Sequence, residues 1–252
     1  MSISRSIADP IAILLIRDKI PIEVEMLKMI ALSIHVAAGT IAMITGAINL
    51  IGRKGGSPHR SVGKVYALSM HTVSISALIL SVMIGSSFLF CLGIFTFYMT
   101  WNGQRSAKFR TVELRRSDLF VLVLGILNNI AMFLLGDPIL IGLGMLSAVL
   151  ITTEIRLLLQ MRRNWIAPKG AWLRRHIGMI IGSYIATSTA FLVVNSSGGP
   201  WPAWLPWALP SMIGVPIIIY WSARVSKRDR SERDQRVAGS TSRSSSKMPS
   251  SL

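Results

Sequence analysis

Seven apolar runs divide the chain, at about 29–51, 62–84, 87–101, 118–136, 138–158, 176–195 and 204–222. A helix that crosses a bilayer needs about 20 mainly apolar residues, with a range of roughly 17–25. Backbone polar groups in hydrocarbon have to be satisfied within their own segment, which favours helices here. The third run is short and follows Gly85, Ser86 and Ser87, so the second and third runs are expected to form a tight helical hairpin. The fold class that follows is all-α: a polytopic membrane protein, a bundle of seven transmembrane helices. Composition points the same way. Of 252 residues only 15% are charged, and mean hydropathy is +0.53. That is too little charge to cover a soluble domain of this length.

The charges then test the count. Of 27 bases, all but four lie in four stretches. The loop at 52–64 holds Arg53, Lys54, Arg60 and Lys64 and no acid. The loop at 102–117 holds Arg105, Lys108, Arg110, Arg115 and Arg116. The stretch 156–175 holds Arg156, Arg162, Arg163, Lys169, Arg174 and Arg175, and the tail holds eight more. The turns near 85–87, 136–138 and 195–203 hold none. Seven spans put every basic loop on one side. By the positive-inside rule that side is the cytoplasm of a cell membrane, with the N-terminus outside and the C-terminus inside. Net charge is +16, and in a membrane protein such an excess reports orientation more often than nucleic-acid binding.

Three parts are expected. Residues 1–28 form a short interfacial lead-in, because the apolar stretch at 11–16 is shorter than a secretory core. Residues 29–222 form the transmembrane domain. Residues 223–252, rich in Arg, Lys and Ser, read as a basic disordered tail that has little to bury and can touch anionic lipid head groups. Within the domain, Gly136-Asp137-Pro138 marks a turn with proline opening the next helix. The last run carries Pro206, Pro210 and Pro216, kinks that neighbouring membrane helices can absorb. Trp201, Trp204, Trp207 and Trp221 bracket it as interfacial anchors.

Ionisable residues inside spans are costly, which makes them site candidates. The chain has only four histidines, and all lie in or beside spans: His35, His59, His71 and His176. Helical spacing puts His35 on one face with Gly39, Ala42, Gly46 and Asn49, and His71 on one face with Gly63, Ala67, Ser74 and Ser81. His176, Ile180, Ser183 and Thr187 form a third stripe. Small faces let helices approach closely, or leave room for a flat cofactor beside a histidine. With about 1.5 Å of rise per residue, His35 lies about 24 Å and His71 about 16 Å from the inner end of their helices. His59 and His176 lie near the inner surface. Two pairs follow: an outer pair, His35 with His71, mismatched by roughly 8 Å, and an inner pair, His59 with His176.

Two stacked bis-histidine pairs match a transmembrane b-type cytochrome, so haem b is one reading and the electron-transfer partner is open. The plainer reading makes the histidines hydrogen-bonded links between helices. A metal held by the same residues is the rival, yet the only acid within a span is Glu154, expected to pair with Arg156 or a basic loop. A small-molecule transporter or sensor is a different class, with the histidines, Asn128 and Asn129 lining a polar path. A non-catalytic assembly protein is a third. The asparagines read first as interhelical hydrogen-bond formers, and Cys91 as a small packing residue. No nucleophile, carboxylate pair, P-loop or dinucleotide fingerprint stands out.

The stretch "HVAAGTIAMITGAINLIGRKGGSPHRSVGKVYALSM" at 35–70, followed by "RRHIGMIIGSYIATSTAFLVV" at 174–194, resembles the bacterial multi-pass membrane proteins grouped as the domain of unknown function 2306 family. The resemblance runs from about 33 to 222. The family's signature maps onto His35, Gly39, Gly46, His59, Arg60, Gly63, Tyr66, His176 and Tyr184. It implies a multi-span membrane protein and no assigned activity. The haem reading therefore rests on the four histidines and not on the family.

Overall fold

The computed structural model describes residues 22–162, 167, 170–196, 199, 200, 202 and 204–245. It is all-helical, with seven helices: α1 (Ile22–Ile51), α2 (Ser57–Ile84), α3 (Ser87–Phe109), α4 (Arg116–Leu135), α5 (Pro138–Arg162), α6 (Ala171–Asn195) and α7 (Leu205–Ser245). Six are long and apolar enough to cross a membrane. The seventh, α3, falls short because its last two turns carry Asn102, Gln104, Arg105, Ser106 and Lys108. Those polar residues do not put α3 outside the bundle. It is the central helix, packed against α2, α4, α5 and α6, while α1 and α7 join through α2 and α6. The lead-in reading for residues 1–21 lies outside the described residues; residues 22–28 are the first turns of α1.

Local signals set the helix ends. Pro58 sits in the first turn of α2, where its missing N–H costs nothing, and Gly85 closes α2 at φ 67°, a left-handed conformation natural to glycine. Ser86 then accepts from the Leu89 amide at 3.2 Å and opens α3, which makes the expected hairpin. Gly136, at φ 71°, ends α4. Asp137 accepts from the amides of Ile139 and Leu140 at 2.9 and 3.0 Å and caps α5. Pro210 and Pro216 lie inside α7 without ending it.

The bundle is apolar outside and mixed inside. Ile34, Ile41, Ile44 and Ile48 on α1, and Phe120, Leu127 and Leu134 on α4, are exposed. Hydroxyls lie within: Ser74 on α2 meets Thr96 on α3 at 3.0 Å, and Tyr66 on α2 meets Ser183 on α6 at 2.8 Å. This is the pattern of a protein solvated by lipid, where apolar contact alone does not favour helix–helix association and small or polar residues gather at the seams.

The C-terminus differs from the sequence reading. Where a disordered tail is expected from 223, helix continues to Ser245. The transmembrane part of α7 supplies the nucleus that an isolated short helix lacks, and Arg, Lys, Glu and Gln propagate it with no glycine before Gly239. Arg228 and Glu232 pair at 3.0 Å one turn apart. Asp229 also docks the extension: its Oδ2 accepts from the Gly170 amide at 3.0 Å and from Arg174 at 2.9 Å, which caps α6 from another helix. Residues 246–252 lie outside the described residues.

Candidate functional site

Each candidate histidine is placed by a different seam. His35 on α1 turns to α2, where its Nδ1 lies 3.2 Å from the Val73 carbonyl and 3.0 Å from Ser76 Oγ. A carbonyl only accepts, so Nδ1 carries the hydrogen and Nε2 of the neutral ring keeps its lone pair. His176 on α6 does the same with α3, its Nδ1 donating to the Gly103 carbonyl at 2.9 Å. His71 turns away from α1 to α3. Its Nε2 lies 3.1 Å from Gln104 Oε1, and its ring packs on Phe97 and Trp101 at centroid distances of 5.3 and 6.3 Å. Its Nδ1 is buried without a hydrogen-bond partner. His59, in the first turn of α2, is half-buried, and its side chain makes no hydrogen bond among the described residues.

The outer pair is therefore not brought ring to ring. His71 sits two residues before Val73, about 200° round the helix, so His35 and His71 address different sides of α2. His35 also meets α2 about 3–8 Å nearer its C-terminal end than His71, a mismatch of the kind the spacing predicts. His59 lies within electrostatic range of His176 and of Lys54. Among the described residues no three His, Cys, Asp or Glu side chains converge as a metal-ligand set.

The small-residue faces are mostly used for close packing. A Cβ at Gly46 would enter the ring of Tyr184, and one at Gly103 would meet Ile180 at 2.7 Å. Tyr184 crosses from α6 to donate to the Met43 carbonyl at 3.3 Å, beside Tyr66 at a ring separation of 6.3 Å. Gly46 on α1 thus admits tyrosine, and no flat slot stands open at Gly46 or Gly103. Asn128 bonds to the Cys91 carbonyl at 3.1 Å and Asn129 to the Gly144 carbonyl at 2.6 Å, both between helices.

A second polar cluster escaped the sequence. Glu154 on α5 pairs not with Arg156 but with Arg175, a base of the 156–175 stretch, which is the other expected alternative. Its carboxylate takes a two-pronged contact from Arg175 on α6, Nε to Oε1 at 2.6 Å and Nη2 to Oε2 at 2.5 Å. The same guanidinium bonds Asn102 Oδ1 at 2.8 Å and Ser106 Oγ at 3.2 Å on α3. Only a planar fork with five donors holds three helices in this way. Arg105 pairs with Asp118 at 2.5 Å and donates to the Glu113 carbonyl. Asp118 also accepts from Trp101 Nε1 at 3.2 Å and the Arg115 amide at 2.5 Å. Arg105, Asp118, Glu154 and Arg175 are all buried. In the sequence, Arg105 and Arg175 count as loop bases, because the apolar runs end before Arg105 and begin after Arg175. The structure extends α3 to Phe109 and starts α6 at Ala171, which puts both inside helices. The usable signals were two acids, Glu154 inside its run and Asp118 at the first position of another.

The family described as "Predicted membrane protein (DUF2306)" matches residues 32–119. That match covers α1 from Leu32 through α3 to the start of α4, and it contains His35, His59 and His71. Among curated proteins and solved structures, none matches the chain. The chain is a polytopic helical membrane protein with a bilayer as its solvent.

Proposed function

We propose that the protein is a b-type haem-binding, redox-linked protein of the cell membrane, with His59 and His176 as its leading ligand pair and His35 and His71 as a second set. The carrying observation is the fixed tautomer. His35 and His176 each donate Nδ1–H to a backbone carbonyl of the next helix, at Val73 and Gly103. An imidazole anchored this way presents the Nε2 lone pair that an iron centre takes, and the second-shell carbonyl raises its basicity. The ring nitrogens fit haem. The packed glycines at Gly46 and Gly103 do not offer it space, so the wall beside His59 is the better-suited place. Haem, when bound there, supplies one-electron transfer. The residues of this chain orient the ligands and exclude water.

The proposed orientation puts the loops at 52–56 and 110–115 and the extension of α7 in the cytoplasm, following their bases. In that orientation the docked extension of α7 lies where it meets anionic lipids. Impermeant thiol labelling of cysteines placed at Gly55 and Ser86, in a Cys91→Ser background, tests it: Ser86→Cys labels from outside and Gly55→Cys does not.

The test of haem is a visible spectrum of protein purified from haem-supplied cells, oxidised and dithionite-reduced. A b-type Soret band that is lost in His176→Ala and His59→Ala supports the proposal. A colourless, folded protein sinks it. A band that survives all four single histidine substitutions sinks it too.

A further inference from the structure

The turn between α1 and α2 forms an open surface cavity of about 480 Å³ whose wall includes Ile48, Arg53, Lys54, Pro58, His59 and Val62. Its lining mixes two chemistries: Ile48, Pro58 and Val62 are apolar, Arg53 and Lys54 are cationic, and no carboxylate lines it. Lys54 Nζ donates to the carbonyls of Asn49 and Leu50 at 2.6 and 2.5 Å, which fixes the ammonium at the end of α1 and leaves its third N–H free for a ligand. Arg53 makes no hydrogen bond among the described residues. Gly56 gives α2 no side-chain cap, so the first amides of that helix add a positive field at the same place.

Depth comes from a separate contact. The Trp221 ring on α7 lies 5.9 Å from Lys54 Nζ and 5.6 Å from the Arg224 guanidinium. An indole between two cations at the end of a span marks head-group depth, where tryptophan is enriched. A cavity there, part apolar and part cationic, suits an amphiphile with an anionic head.

We infer that this cavity binds an anionic phospholipid, its phosphate between Arg53 and Lys54 and its glycerol end against Ile48, Pro58 and Val62. The recognised chemistry is a phosphate oxyanion, which a fork and a point charge hold together. The site adjoins the root of the α7 extension at Trp221 and Arg224 but does not use the bases farther along it. It shares the wall at His59 with the haem proposal, so the two ligands compete for that space, but the lipid needs Arg53 and Lys54 and not the His59 imidazole.

The experiment titrates the delipidated full-length protein in neutral detergent with dioleoylphosphatidylglycerol, and follows tryptophan fluorescence and lipid retained in native mass spectra. Dioleoylphosphatidylcholine and inorganic phosphate are the comparison arms. Saturable binding of the phosphatidylglycerol is expected, with little from the other two. Each base near a membrane surface contributes about 1 kcal/mol, so Arg53→Gln weakens binding about fivefold. Lys54→Gln acts in the same direction. Arg53→Gln is the deciding variant, because Arg53 holds no helix end together. Arg228→Gln with Arg230→Gln, in the extension, leaves the affinity unchanged. Unaltered binding in Arg53→Gln overturns the inference, as does equal loss in the extension variant. Phosphate that binds as well as the lipid overturns the lipid and assigns the cavity to a soluble phosphate. Loss of the Soret band in His59→Ala with lipid binding intact separates this result from that of the haem test.

Discussion

Replacing Arg175 with methionine keeps an unbranched apolar stem, removes the guanidinium and deletes its charge, and the structure says what is left behind. Four hydrogen bonds disappear: two to Glu154, one to Asn102 and one to Ser106. Glu154 is only 2% exposed, so water cannot replace the guanidinium. An uncompensated buried charge of this kind costs about 3–5 kcal/mol, and the stranded Asn102 oxygen adds to it at about 1–3 kcal/mol for an unmade bond. Arg175→Met should therefore unfold far more easily than the parent. The second arm removes the partner: in Arg175→Met with Glu154→Leu no charge is stranded, and such exchanges are often neutral or stabilising. The double variant should recover most of the loss, with a coupling energy above about 2 kcal/mol. Equilibrium unfolding of all four proteins in mixed micelles, followed by tryptophan fluorescence, measures the cycle. The reasoning fails if Arg175→Met loses less than about 1 kcal/mol, or if the double variant is as unstable as the sum of the singles.

Other positions give smaller, separable effects. Gly46→Leu drives a side chain into the Tyr184 ring and should cost about 1–3 kcal/mol in the same assay; an unchanged midpoint contradicts the close approach of α1 and α6. Tyr66→Phe leaves Ser183 without its 2.8 Å partner and should lose about 1 kcal/mol, nearly all of it recovered when Ser183→Ala is added. Asp137→Ala removes the cap that takes two α5 amides and should cost about 0.5–2 kcal/mol. Asp229→Ala frees the α7 extension from Gly170 and Arg174. It should speed proteolysis between residues 224 and 245 while the midpoint of the transmembrane part stays within about 0.5 kcal/mol; protection equal to the parent's refutes the docking.

The histidines show how far pattern alone reaches. Spacing of about 1.5 Å per residue placed His35 and His71 at different depths, and the contacts of His35 with Val73 and Ser76 agree. Spacing did not give azimuth across helices. Which side of α2 a ring addresses depends on which helix lies there, and α3 drew His71 toward Gln104. The glycine stripe had two meanings in sequence, close approach or a cofactor slot. Tyr184, 138 positions further on than Gly46, decided for close approach at that level.

What the sequence alone determined is what a bilayer demands locally: seven helical segments, their turns at Gly85 and Gly136, and the helix opened at Pro138. Each of these depends on residues within a few positions, because apolar length, left-handed glycine and a proline at a helix start act at short range. Burial of charge is different. Arg105, Asp118, Glu154 and Arg175 look like loop or lone charges until four helices bring them into one interior. Only the tertiary structure decided that they pair, because the cost of burying each charge is offset by a partner far along the chain.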